Sequence, residues 1–131
     1  MKNFFVSLGA FLVLDLLWFS FVVKSFNLTM LAEIGRIKNG QLDVLYLPGL
    51  VSYVLMAVAV SVFVAPKIAE FDSFVHVAGI GALMGFIIYG IYDFTNLALL
   101  KNYQPLFVLV DISWGTFAFA VVSLLIKKIN E

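Results

Sequence analysis

The sequence contains no cysteine and a single histidine, His76, among its 131 residues. The absence of cysteine excludes disulfide bonds, thiolate metal sites and cysteine nucleophiles. A single histidine also excludes metal sites that need paired histidines. Charged residues make up 12% of the chain and hydrophobic residues 63%, whereas soluble domains are about a quarter charged and about half apolar. The composition therefore indicates an integral membrane protein.

The formal charges cancel, because the chain carries eight basic and eight acidic residues. This balance argues against a nucleic-acid partner and against a strongly basic lipid-binding patch. The sequence also lacks a phosphate-binding glycine loop, a hydrolase nucleophile elbow and a metal-binding motif. We therefore predict no cofactor, no metal ligand and no catalytic residue, and we expect the lipid bilayer to surround the chain.

A helix needs about 20 residues to cross a bilayer, and four apolar stretches of the sequence reach or approach this length. They lack the alternation of a β-barrel strand, so we expect helices. The first is too long for the apolar core of a signal peptide and lacks a cleavage site, so we interpret it as a span. The sequence predicts an all-α four-helix bundle in a single transmembrane domain over residues 1–131. The predicted spans are Phe4–Val23, Tyr46–Ala65, Phe74–Leu100 and Pro105–Ile126.

The longest polar connection, Lys24–Leu45, contains an apolar stripe at helical spacing, and Asn39-Gly40 follows it as a helix stop. We therefore predict a short amphipathic helix at the membrane interface between spans one and two, with an ordinary loop as the alternative. The stripe consists of Met30, Leu31, Ile34 and Ile37, and the opposite face of Glu33, Arg36 and Lys38.

The basic residues outside the spans divide equally between the two sides of the predicted bundle, so they determine the orientation poorly. The adjacent Lys127 and Lys128 favour cytoplasmic termini. A homodimer of two copies inserted in opposite directions remains an alternative.

Three aspartates, Asp15, Asp93 and Asp111, lie inside the apolar spans, and no Lys or Arg accompanies them there. A charged side chain at the centre of a bilayer costs roughly 2.5–3.5 kcal/mol or more, so intramembrane carboxylates mark functional sites. At a rise of about 1.5 Å per residue, all three lie roughly 9–12 Å from the same end of the bundle, at the level of Tyr53. We expect at least one of them to be protonated at neutral pH, because like charges repel and burial disfavours ionisation.

Helical spacing places further polar and aromatic side chains beside these aspartates. Tyr89, Asp93 and Asn96 form one stripe that Tyr92 borders, and an Asp-x-x-Trp spacing occurs twice. Aromatic rings attract cations, and carboxylates can bind a proton, a cation or an amine. We therefore predict a polar, aromatic pocket in one leaflet. The connection Lys24–Leu45 lies on the same side of the membrane as this pocket. The predicted ligand- or ion-binding residues of the pocket are Asp15, Trp18, Tyr53, Tyr89, Tyr92, Asp93, Asn96, Asp111 and Trp114.

Three segments together carry a family resemblance: DLLW at Asp15–Trp18, YGIYDFTNL at Tyr89–Leu97, and VDISWG at Val110–Gly115. With them, the chain resembles a family of small bacterial predicted membrane proteins, domain-of-unknown-function family twenty-one seventy-seven. The resemblance extends over essentially the whole chain. It implies four helices and a bacterial inner membrane, and it implies no activity.

Three functions are compatible with these residues. The first is a small transporter or channel for a proton, cation or amine, with the three aspartates as the exchanging site. The second is a binding module or small membrane enzyme acting on a lipid or another apolar molecule, since two carboxylates can divide acid and base roles. The third is a structural or partner-binding bundle in which the aspartates link helices through hydrogen bonds.

Overall fold

A computed structural model describes all residues, 1–131, and most of them are helical. Four of the helices are long and apolar enough to cross a membrane. The predicted all-α fold is therefore confirmed. The long helices are α1 (Lys2–Val22), α3 (Tyr46–Ile68), α4 (Phe74–Leu99) and α5 (Pro105–Asn130), and a short α2 (Lys24–Met30) follows α1.

Two of the long helices contain a π-helical segment. In α1 it covers Trp18–Val22, and in α3 it covers Val60–Val64. The second predicted span ends at Ala65, directly before Pro66, but α3 continues to Ile68. Proline removes one backbone donor from a helix, and the wider turn directly before it changes the hydrogen-bond pattern at that point. The helix therefore passes through Pro66.

The connection between α1 and α3 contains the predicted short helix, but in a different place. Only Met30 of the predicted apolar stripe lies in α2, and the chain then forms a two-stranded antiparallel hairpin of β1 (Ile37–Lys38) and β2 (Gln41–Leu42). Asn39 and Gly40 have φ angles of 52° and 72°. Two consecutive positive φ angles at Asn-Gly are typical of a tight hairpin turn. The interpretation of these two residues as a helix stop was therefore wrong.

The helices α4 and α5 form an antiparallel hairpin whose backbones touch at glycines. A Cβ atom at Gly85 would lie 2.2 Å from the carbonyl oxygen of Gly115. A Cβ atom at Gly115 would lie 2.2 Å from Cδ2 of Tyr89, and one at Gly81 would lie 2.2 Å from Oγ of Ser123. Small residues allow transmembrane helices to approach closely in this way. The contact fixes α4 and α5 relative to each other.

The other two long helices complete the bundle unevenly. Helix α1 packs against α3 and α5, and the last part of α3, residues 60–68, packs against α4 and α5. The first part of α3, residues 46–59, packs against α1 but makes little contact with α4. At the end that holds both termini, Asn130 donates a hydrogen bond to Asn3 at 2.9 Å, and Lys2 donates to the carbonyl of Ile129. The bundle is therefore closed at that end and open between α3 and α4 at the other.

Candidate functional site

The gap between α3 and α4 is a cavity of about 700 Å³ that residues from all four long helices line. Asp15 comes from α1 and Asp111 from α5, while Tyr53 lies on α3 and Tyr89 and Tyr92 lie on α4. No Lys, Arg or His lines this cavity. The remaining lining residues are Phe19, Pro48, Ser52, Leu55, Met56 and Ile88.

Asp15 is held by the second Asp-x-x-Trp segment. Its side chain is 4% exposed, and its Oδ1 accepts a hydrogen bond from Nε1 of Trp114 at 2.7 Å. The hydroxyl of Tyr53 lies beside the same carboxyl group. The indole of Trp114 stacks on that of Trp18, with 4.3 Å between ring centroids and an interplanar angle of 2°. The two segments thus meet across the α1–α5 contact.

Asp93 lies behind Asp111, away from the cavity. It is completely buried, and its Oδ1 accepts a hydrogen bond from the hydroxyl of Tyr103 at 2.5 Å. Its other oxygen, Oδ2, has no donor, and the carboxyl of Asp111 is within hydrogen-bonding reach of Asp93. Burial, and next the hydrogen bond to Asp93, raise the pKa of the Tyr103 phenol above its ordinary value. Tyr103 therefore keeps its proton and acts as a donor to Asp93.

Tyr103 is the residue of this site that the sequence did not predict. Tyrosines at the ends of membrane helices commonly lie at the membrane interface, which is the ordinary expectation for both Tyr46 and Tyr103. Tyr46 is 88% exposed. Tyr103 is only 6% exposed, because the turn between α4 and α5 places its phenol on Asp93. The sequence feature that could have indicated this role is the position of Tyr103 in a tight turn, ten residues after an aspartate that needs a hydrogen-bond donor when it is buried.

A second cavity of about 570 Å³ adjoins the first one. The two share five lining residues: Phe19, Ser52, Tyr53, Tyr92 and Asp111. Residues of α2 and of the β hairpin form its outer wall, and Lys24 and Asn27 are among them. Asp111 therefore borders both the cavity between α3 and α4 and the space under the polar connection.

The structure distributes the nine predicted site residues over three places. Five of them line the cavity: Asp15, Tyr53, Tyr89, Tyr92 and Asp111. Trp18 and Trp114 lie behind Asp15 and border a separate groove on the outside of the bundle. Asp93 is enclosed next to Asp111, and Asn96 is partly buried on α4 near Tyr92 and Tyr103.

Two features of the lining limit the chemistry of the cavity. No three His, Asp or Glu side chains converge closely enough to hold a metal ion. The only hydrogen-bond partner of the Tyr89 hydroxyl is the sulfur of Met56, at 3.8 Å. The cavity thus offers two carboxyl groups, phenol hydroxyls, aromatic faces and apolar side chains.

The comparison with family models covers nearly the whole chain. Residues 1–126 match the family described as Predicted membrane protein (DUF2177). The chain belongs to this family. The match includes the four long helices up to residue 126 and all residues of the candidate site, and it confirms the resemblance that the sequence segments suggested. No curated protein and no solved structure matches the chain.

The hydrogen bond between Tyr103 and Asp93 gives a first testable prediction. We expect Tyr103→Phe to lower the free energy of unfolding by about 1–2 kcal/mol, because a buried carboxyl oxygen then loses its donor. Tyr46→Phe removes the same hydroxyl from an exposed residue and should change the free energy by less than about 0.5 kcal/mol. Reversible denaturation in mixed micelles measures both values. Equal values for the two variants would contradict the assigned role of Tyr103.

Proposed function

We propose that this membrane protein binds an organic ammonium ion in the cavity between α3 and α4. The observation that carries the proposal is that two carboxyl groups, Asp15 and Asp111, line one cavity that no Lys, Arg or His lines. Charged groups inside a membrane normally pair with a partner of opposite charge. A cationic ligand supplies that partner, whereas a phosphate or carboxylate ligand would add repulsion.

The tyrosines of the cavity favour the same class of ligand. Tyr53, Tyr89 and Tyr92 line the same cavity as the two carboxyl groups. An aromatic face attracts a cation by about 0.5–1 kcal/mol at an exposed site and by about 2 kcal/mol or more where water is excluded. The phenol hydroxyls can also accept hydrogen bonds from an ammonium group.

The apolar part of the lining indicates that the ligand carries an apolar substituent. Leu55, Met56 and Ile88 line the cavity beside the polar groups. The gap between α3 and α4 is open to the outside of the bundle, since Leu55 and Tyr92 are 62% and 59% exposed. In a bilayer, lipid surrounds the bundle at this position. An amine with an apolar group can enter through this gap, while a bare metal ion would need more oxygen ligands than converge here.

Transport is the further step of this proposal. The cavity is open at the end of the Lys24–Leu45 connection, and the bundle is closed at the end of the termini, so movement of the amine across the bilayer requires the closed end to open. We place the protein in the bacterial inner membrane, with both termini cytoplasmic, and a homodimer of this chain is compatible with that role. A lipid-like ligand is the second candidate, because the gap faces lipid.

A matched series of three small molecules tests the proposal. The probes are 2-phenylethylammonium, the neutral 2-phenylethanol and the anionic 3-phenylpropanoate, which share the phenyl group and differ in charge. The only two tryptophans, Trp18 and Trp114, lie at Asp15, so tryptophan fluorescence of the protein in lipid nanodiscs reports binding. We expect the ammonium probe to bind at least tenfold more tightly than the alcohol, and the carboxylate not to bind. Equal affinity for the alcohol would show an apolar site instead.

Variants of the two lining aspartates complete this test. We expect Asp111→Asn and Asp15→Asn each to weaken binding of the ammonium probe by about 10–100-fold, because a charged hydrogen bond contributes about 1.5–3 kcal/mol. Asp43→Asn makes the same change at an exposed position outside the cavity and should bind normally. Unchanged binding in both cavity variants would exclude the proposed site. Uptake of the same amine into proteoliposomes then separates transport from binding alone.

A further inference from the structure

We propose that Asp93 and Asp111 share one proton, and that an ammonium ion bound at Asp111 displaces it, so that the site exchanges one cation for one proton. This inference rests on the proposed function, because it requires an ammonium ion in the cavity. It adds a role for Asp93, which does not line the cavity.

The first observation is the environment of Asp93. It is completely buried, and its only donor is the hydroxyl of Tyr103, which bonds to Oδ1. The second carboxyl oxygen, Oδ2, has no donor, and the one acidic group within reach is the carboxyl of Asp111. A proton between the two carboxyl groups would satisfy the unpartnered oxygen. Without that proton, two negative groups would face each other, and one of them, Asp93, is completely buried.

The second observation is the set of charges around the pair. The titratable groups that face it are the phenols of Tyr89 and Tyr92 on α4, the phenol of Tyr103 in the turn, and Asp15 and Tyr53 across the cavity. None of these carries a positive charge. Lys24 borders the outer cavity with Asp111, but it forms no ion pair with it. A shared proton is therefore the available compensation for the pair.

The exchange keeps both charge and protons balanced. With one proton, the pair carries a charge of −1. When an ammonium ion binds at Asp111 and the proton leaves, the pair carries −2 and the ligand +1, so the site again carries −1. The proton leaves through the carboxyl group of Asp111 to solvent in the outer cavity, because Asp111 borders both cavities while Asp93 is enclosed. Asp93 is thus a positioning residue that holds the proton without touching the ligand.

Proton release on binding tests this inference directly. Purified protein in weakly buffered nanodiscs with a pH dye is titrated with 2-phenylethylammonium between pH 6 and 8, where an alkylamine stays protonated. We expect about one proton per bound probe for the wild type and for Asp43→Asn, and none for Asp93→Asn. We also expect the affinity of the wild type to rise about tenfold per pH unit, and that of Asp93→Asn to stay nearly constant. A merely structural role of Asp93 would not change the proton count.

The outcomes separate this inference from the proposed function. Binding by the wild type without proton release overturns the exchange and leaves the binding proposal intact. Absence of binding by the wild type overturns both. If Asp93→Asn does not fold, infrared difference spectra of the wild type decide. The exchange requires that a protonated carboxyl band disappears when the probe binds, and a band that persists overturns it.

Discussion

Gly85→Ala is expected to lower the free energy of unfolding by about 3 kcal/mol. The added Cβ would lie 2.2 Å from the carbonyl oxygen and 2.8 Å from the carbonyl carbon of Gly115, and both are backbone atoms of α5. Overpacking usually costs about 1–3 kcal/mol, and we expect the upper end because no flexible side chain can move aside. The helices α4 and α5 must separate to accommodate the methyl group. Steric trapping or denaturation in mixed micelles measures the loss.

Gly90→Ala provides the matched control on the same helix. Gly90 is also buried, yet a Cβ atom there would meet nothing within 4 Å. Alanine is favoured over glycine inside a helix by about 0.8–1.0 kcal/mol, so this variant should be neutral or slightly more stable. Destabilisation of similar size at both positions would show that the close contact between Gly85 and Gly115 does not determine stability. We also expect Gly85→Ala to weaken ammonium binding, since α4 and α5 carry Tyr89 and Asp111.

The number of long helices and their approximate positions could be predicted from the sequence, because apolar length alone decides them. The end of α3 could not, since Pro66 lies inside this helix and the helix continues past it. The connection Lys24–Leu45 shows a different limit. Its apolar stripe has helical spacing, but Asn39 and Gly40 favour a hairpin turn with positive φ angles, and the local turn preference prevails over the spacing.

The lining of the cavity was partly predictable from the sequence, since five of the nine predicted site residues line it. The cost of an intramembrane carboxylate singled out Asp15, Asp93 and Asp111, and helical spacing added the tyrosines. Spacing does not show which neighbouring helix a side chain meets, however. For this reason the sequence could not place Asp93 behind Asp111, or Trp18 outside the cavity.

Tyr103 shows why the other contacts of the candidate site could be found only from the structure. Tyr103 and Tyr46 look alike in the sequence, as aromatic residues at the ends of apolar stretches. Their roles differ because the turn between α4 and α5 directs Tyr103 back to Asp93, while nothing covers Tyr46. Whether the hydroxyl of such a tyrosine is buried depends on the conformation of the turn. The sequence around Tyr103 does not by itself determine its contact with Asp93.

Trp114→Phe is expected to lower the free energy of unfolding by about 3 kcal/mol, and Trp18→Phe by about 1 kcal/mol. Both changes shrink one ring of the same stacked pair. Only Trp114 donates a hydrogen bond to the buried carboxyl of Asp15, at 2.7 Å. Because Trp114 is also the more buried of the two, the comparison needs a test that isolates this bond from the loss of packing.

A double-mutant cycle with Asp15→Leu isolates the hydrogen bond between Trp114 and Asp15. We expect a coupling free energy of about 1.5–3 kcal/mol between Asp15 and Trp114, as for a hydrogen bond to a charged group. Between Asp15 and Trp18 we expect less than about 0.5 kcal/mol, because those two side chains form no hydrogen bond with each other. Equal coupling in the two cycles would mean that the indole pair supports Asp15 by packing alone. In that case Trp114 would not orient the carboxyl group toward the cavity, and the ammonium site would depend on Asp111 for its direction.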